Sequence, residues 1–101
     1  MNIINNTLFL EDISVETLMQ EYGSPLYVYE ESVLRSQFRQ LSSGFPEGLL
    51  EIHYSMKANS NPSLLKILRE EGSSIDAVSE FEVRLALESG FEPQQIIFTG
   101  N

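Results

Sequence analysis

Three runs of strand-favouring residues, Glu51 to Lys57, Ser74 to Ser79 and Ile96 to Thr99, begin about one strand-plus-helix unit apart, and this rhythm limits the chain to few folds. The intervening segments carry helix punctuation. Asn61-Pro62 pairs an N-cap with a first-position proline, and Leu64, Leu65 and Leu68 supply the buried face of a helix ending near Gly72. Ser79 and Glu82 have capping-box spacing for a further helix to Leu87, with Phe81, Leu85 and Ala86 available for packing and Gly90 as its stop. Glu92-Pro93 turns the chain into the third run. Strands alternating with helices predict a parallel α/β sheet with right-handed crossovers. A full (β/α)8 barrel takes roughly 250 residues, so the 101-residue chain is expected to be the first part of a larger protein with an open sheet edge.

Upstream, Thr7 to Leu10 reads as a short strand, and Ser14 caps a predicted helix through Tyr22 that Gly23 stops. Val15, Leu18, Met19 and Tyr22 fall on one face of that helix and read as packing. Ser24-Pro25 breaks the chain before the strand-favouring Leu26-Tyr27-Val28-Tyr29. A second helix is predicted from about Glu31 to Ser42, with Val33, Leu34, Phe38 and Leu41 inside and Arg35 and Arg39 on a solvated face.

The stretch Glu51 to Pro62 carries the chemistry. Side chains alternate along a strand, so Leu50, Ile52, Tyr54 and Met56 form an apolar row and Glu51, His53, Ser55 and Lys57 a polar one. The polar row ends on Lys57 at the carboxyl end of a strand, where open α/β sheets and barrels bind ligands. On residue pattern alone that lysine reads as readily as a solvated surface group. Its chemical interest is that a lysine amine forms a Schiff base with an aldehyde once it can become neutral. Asp76, on the second strand, is placed to face the same mouth, where its carboxylate would hold the ammonium form or order the site. His53 shares the face of Lys57 but lies deeper, as a satisfied interior histidine.

Other chemistries lack their residues. The chain has no cysteine and a single histidine, which removes disulfides, thiolate nucleophiles and two-histidine metal spacings and leaves a serine-histidine-acid triad unsupported, so no metal site is expected. The glycines are scattered, without a dinucleotide fingerprint or P-loop. A net charge of −9 disfavours nonspecific binding to nucleic acid or anionic lipid. The N-terminus lacks the pattern of a secretory signal, and no apolar run approaches membrane-spanning length, so a cytoplasmic protein is the expectation.

Taken together and in order, Ser24-Pro25-Leu26-Tyr27-Val28-Tyr29, Tyr54-Ser55-Met56-Lys57-Ala58-Asn59, Ile75-Asp76-Ala77-Val78-Ser79 and Ile97-Phe98-Thr99-Gly100-Asn101 resemble the N-terminal part of the diaminopimelate decarboxylase family. That family belongs to the alanine-racemase-like pyridoxal-phosphate enzymes, with the ornithine and arginine decarboxylases. The resemblance implies a (β/α)8 TIM barrel binding pyridoxal 5'-phosphate, with residues 31–101 as its incomplete N-terminal part. Residues 1–30 would be a strand and helix segment packing on a C-terminal β-domain. It implies that Lys57 is the cofactor-bearing catalytic lysine and that Asp76 is a cofactor-binding acid beside it. It also implies a small amino-acid substrate, most simply meso-diaminopimelate giving L-lysine and CO2, and a homodimer in the full-length protein.

Two departures stand out. Met56 occupies a position where a smaller aliphatic residue is usual, and Glu80-Phe81 stands where many members carry glycines. The family's phosphate-binding loops, its acid for the pyridine nitrogen, its stacking histidine and its substrate groups from the second subunit are expected after Asn101. The chain alone is therefore expected to be inactive. The alternatives are a sibling ornithine, arginine or carboxynorspermidine decarboxylase, a decarboxylase-like binding protein without activity, and a small self-contained α/β domain that folds alone as a monomer. An alanine racemase fits less well, since Ser60-Asn61-Pro62 follows Lys57-Ala58-Asn59 in place of that family's tyrosine- and glycine-containing continuation.

Overall fold

Asn5-Asn6 turns the chain back within its first ten residues. Both asparagines take positive φ, 49° and 63°, as a two-residue hairpin loop requires. The computed structural model describes residues 1–100; Asn101, which closes the last of the motifs quoted above, lies outside the described residues. Strand β1 (Asn2–Ile4) pairs antiparallel with β2 (Thr7–Leu10), and β2 with β3 (Ile13–Ser14). Helix α1 (Val15–Tyr22) follows directly, with Ser14 Oγ accepting from the Thr17 amide at 3.1 Å and Gly23 at φ 82° ending it. The chain divides into two compact units, residues 1–34 and 35–101.

The first unit departs from expectation in two places. Leu26 to Tyr29 forms no strand, and Tyr27 is 90% exposed; strand-favouring residues need a neighbouring strand to pair with. The stripe on α1 is only half covered, with Val15 and Leu18 partly buried but Met19 and Tyr22 exposed. Helix α2 (Glu31–Ser43) runs across the boundary between the units.

The second unit holds the parallel array. Strands β4 (His53–Ser55), β5 (Ser74–Ala77) and β6 (Ile96–Phe98) pair in chain order, joined by α3 (Pro62–Glu70) and then by α4 (Glu80–Glu88) with a short 3-10 turn at Pro93–Gln95. The helix starts follow the sequence closely. Asn61 Oδ1 accepts from the Ser63 amide at 2.9 Å, and Ser79 Oγ from the Glu82 amide at 3.2 Å. The second cap is not reciprocal in the expected way: Glu82 Oε2 accepts from the Val78 amide at 2.6 Å, one residue before the cap.

Both helices end alike. Gly72 and Gly90 take φ of 91° and 90°, conformations that cost glycine little. The next amides then reach back, Ser73 to the Leu68 carbonyl at 3.0 Å and Phe91 to the Ala86 carbonyl at 3.1 Å. The second return buries Phe91 in a core with Met56, Leu65, Ile75, Ala77 and Ala86. Phe81, expected to pack, is 68% exposed instead, and Val83 packs beside Leu85. Arg35 and Arg39 are not merely solvated. Arg35 Nη2 lies 2.6 Å from Glu70 Oε2 and Nη1 2.9 Å from Glu71 Oε1, while Arg39 Nε lies 2.6 Å from Glu71 Oε2, clamping α2 to the end of α3.

Candidate functional site

Strand alternation divides the parallel sheet into two chemically different faces. Tyr54, Met56, Ile75, Ala77 and Ile96 pack with the helices. Met56 is fully buried there, so the side chain larger than the family norm serves as core. His53, Ser55, Ser74, Asp76 and Ile97 have the opposite parity, and β4, β5 and β6 are in register with Ser55 beside Asp76 and Asp76 beside Ile97.

Regular pairing on β4 stops at Ser55, two residues before the lysine. A turn takes over, in which the Met56 amide donates to the Asp76 carbonyl at 3.3 Å and the Ala58 amide to the Ser55 carbonyl at 3.1 Å. The exit is pinned as well: Tyr54 Oη donates to the Asn59 carbonyl at 2.9 Å, and the Asn61 amide donates to Asn59 Oδ1 at 3.0 Å. Lys57 is thereby carried at the carboxyl end of the array on a fixed backbone. Its side chain is exposed and has no hydrogen-bond or ion-pair partner among the described residues.

Asp76 accepts a hydrogen bond at each of its two oxygens on that face. Ser55 Oγ donates to Asp76 Oδ2 at 2.7 Å from one side, and Thr99 Oγ1 donates to Asp76 Oδ1 at 2.6 Å from the other. These two bonds, Thr99 first and Ser55 second, hold the Asp76 carboxyl below its ordinary range. Partial burial opposes them, while the charges of Lys57 and His53 add to the lowering. The structure thus brings Lys57 and Asp76 into electrostatic reach without a short ion pair between them.

Ser55 and Thr99 were given no role by sequence reasoning. The signal that finds them is parity combined with register: Ser55 lies two residues before Lys57 on one face, and Thr99 two residues after the register partner of Asp76. Gly100 completes the arrangement. A Cβ there would lie 2.5 Å from the Val78 carbonyl oxygen, so its absence lets the segment after β6 lie against the end of β5. His53 is a satisfied interior histidine as expected, with Nδ1 3.4 Å from the Ile75 carbonyl and Nε2 3.3 Å from Glu51 Oε1. Glu51 also accepts from Ser74 Oγ at 2.8 Å. Among the described residues no acid or histidine cluster has the makings of a metal site, and no helix is long and apolar enough to cross a membrane.

A primary amine free of bonds, presented at the carboxyl end of parallel strands beside a fixed negative charge, has the donor chemistry needed to hold an aldehyde cofactor. A family model described as pyridoxal-dependent decarboxylase, pyridoxal binding domain, matches residues 31–101. The chain is 45% identical over 86 residues to the diaminopimelate decarboxylase of Methanothermobacter thermautotrophicus, which covers 83% of this chain and 20% of the relative. It is 41% identical over 93 residues to that of Aquifex aeolicus, covering 92% of this chain and 22% of the relative.

Among solved structures, an Aquifex aeolicus protein superposes with a TM-score of 0.90 at 36% identity, covering 99% of this chain and 25% of that one. The diaminopimelate decarboxylase of Helicobacter pylori complexed with L-lysine gives 0.76 at 35% identity, covering 84% and 22%. The chain therefore spans about a fifth to a quarter of the length of the relatives it matches. The array from β4 to β6 corresponds to the N-terminal part of their (β/α)8 barrels.

Proposed function

The chain belongs to the pyridoxal-dependent decarboxylases, and from that premise we propose that the protein removes the α-carboxylate of meso-diaminopimelate as CO2, leaving a proton in its place to give L-lysine. The observation that carries this reading is Lys57, exposed, unpaired and held on a fixed turn at the end of β4. Its Nζ is the atom we assign to holding pyridoxal 5'-phosphate. When bound, that cofactor supplies an electron-withdrawing ring that accepts the electron pair left by the departing carboxylate.

The chain's own residues do the rest of what is assigned here. Lys57 Nζ anchors the cofactor and, when free of it, holds or delivers a proton. Asp76 is a fixed negative charge beside the amine, part-buried on the same face. The backbone bonds at Met56 and Ala58 keep the lysine root in place at the end of β4. The match to residues 31–101 supports assigning that span to the barrel, and the assignment of residues 1–30 to a segment associated with a C-terminal β-domain rests on the family resemblance. A homodimer and a cytoplasmic location go with the family resemblance and are assigned on it.

The test is borohydride reduction of the full-length protein with pyridoxal phosphate, followed by peptide mass analysis. The pyridoxyl group is expected on Lys57, with Lys66, exposed on α3, unlabelled as the internal control. Label on another lysine overturns the site. Substrate is read separately, from CO2 release with meso-diaminopimelate, ornithine, arginine and carboxynorspermidine. The sibling alternative has its own observation, since a lysine/ornithine decarboxylase from Vibrio vulnificus, solved with putrescine, superposes with a TM-score of 0.78 at 29% identity. Turnover of ornithine in preference to meso-diaminopimelate would favour it.

A further inference from the structure

An amine locked in an ion pair is held protonated and cannot attack a carbonyl, so a carboxylate close to an attachment lysine is a hazard as well as a help. Asp76 is such a carboxylate, and both of its oxygens are already engaged. Ser55 Oγ donates to one at 2.7 Å from β4, and Thr99 Oγ1 donates to the other at 2.6 Å from the segment after β6. Each hydroxyl has one proton to give and gives it to Asp76. The carboxylate is held from both flanks, and Lys57 stands without a bond of its own among the described residues.

We propose that Ser55 and Thr99 are positioning residues that fix the orientation of the Asp76 carboxylate from both sides, so that it does not swing onto Lys57 as an ion pair and the amine stays free to take up the cofactor aldehyde. The proposal rests on the reading of Lys57 as the cofactor lysine. Asp76 then acts on Lys57 as a fixed charge at a distance. Among the described residues other titratable groups near Asp76 are few: Lys57 and His53 come from the β4 side, Thr99 after β6 brings a hydroxyl, and α4 packs on the opposite face. Gly100 belongs to the same device, because a side chain there would push against the Val78 carbonyl and lift Thr99 from Asp76.

The deciding experiment reads the lysine itself, in cofactor-free full-length protein, by trace acetylation with acetic anhydride across pH, with Lys66 as the reference amine. In Ser55→Ala with Thr99→Val, the ratio of Lys57 to Lys66 acetylation near neutral pH is expected to fall about two- to fivefold, the range for a partly exposed ion pair. Each single variant should show part of the fall. Ser55→Thr and Thr99→Ser keep the hydroxyls and should retain the wild-type ratio. Adding Asp76→Asn to the double variant should restore it, because no carboxylate is left to pair.

An unchanged ratio in the double variant overturns the proposal, as does a fall that persists with Asp76→Asn. If Thr99→Val does not fold by circular dichroism, Ser55→Ala with and without Asp76→Asn decides the matter alone. Borohydride labelling stays separate: cofactor on a different lysine overturns the functional reading, while the acetylation ratios still report whether the two hydroxyls hold Asp76 off Lys57.

Discussion

Lys57 and Asp76 meet opposite requirements. In the proposed reading the lysine has to be reachable and capable of losing its proton, and it is exposed on a turn with no bonded partner among the described residues. In the same reading the acid has to stay charged and in place, and two hydroxyls donate to it, one to each oxygen. Because a guanidinium keeps its proton in proteins, Lys57→Arg should preserve charge and fold but abolish borohydride-fixed cofactor in the full-length protein. Retained label at position 57 is chemically excluded, so label appearing elsewhere with full activity would show that the lysine is dispensable. Asp76 also makes a prediction about pH. Its carboxyl is lowered by Thr99 and Ser55, so its stabilising contribution is present above the ordinary carboxylate value of 3.8 and is lost as pH falls through the lower folded value. Asp76→Asn should remove that part of the acid-side loss in urea denaturation, and an unchanged acid limb would contradict the bonding described.

Helix ends fix where these side chains stand. Asn61 and Pro62 start α3 four residues after Lys57 and hold the turn between them, so Asn61→Ala should cost about 1 kcal/mol in equilibrium unfolding, the usual loss for an N-cap. At the far end of α3, the Arg39 and Arg35 guanidinium groups hold the Glu71 carboxyl down to about 2, Arg39 having the larger effect. The folded value is lower than the ordinary 4.5, so the clamp stabilises fully above that range and weakens as pH falls from 4.5 toward 2. Glu71→Gln should flatten stability across that window, measured by thermal unfolding at stepped pH. Local signals of this kind were legible in the sequence: Asn61-Pro62, Ser79, Gly72 and Gly90 each set a helix end through bonds within a few residues. The partners of Arg35 and Arg39 were not legible, because they come from 32 to 36 residues away. Leu26 to Tyr29 misled for the same reason, since a strand exists only where another strand accepts it. The Asn5-Asn6 hairpin was legible in principle, as two adjacent asparagines between apolar runs, and its signal lay in the turn rather than in the strands.

At the scale of the whole molecule, the balance of covered and uncovered apolar surface separates a part of a barrel from a self-contained domain. Lys57 and Asp76 could be placed from sequence because each sits at the end of a strand, whereas what covers the sheet depends on residues that no local pattern encodes. Among the described residues of the second unit, Leu41, which the sequence places on the inner face of α2, is exposed together with Phe45, Leu49, Leu50, Phe81, Leu87, Ile97 and Phe98, as many as the eight buried hydrophobics that form its core. Beta4 and β6 each pair on one side only, and an unpaired strand edge flanked by apolar side chains recruits another strand. The isolated 101-residue chain should therefore self-associate with rising concentration in light scattering. Ile97→Lys, which adds a charge to β6 on the face shared with Asp76, should blunt that edge and move association to higher concentration. A chain that stays monomeric at all concentrations and unfolds cooperatively would instead favour the self-contained domain, because its exposed residues would then need no further cover. Association that Ile97→Lys leaves unchanged would place the sticking surface away from β6.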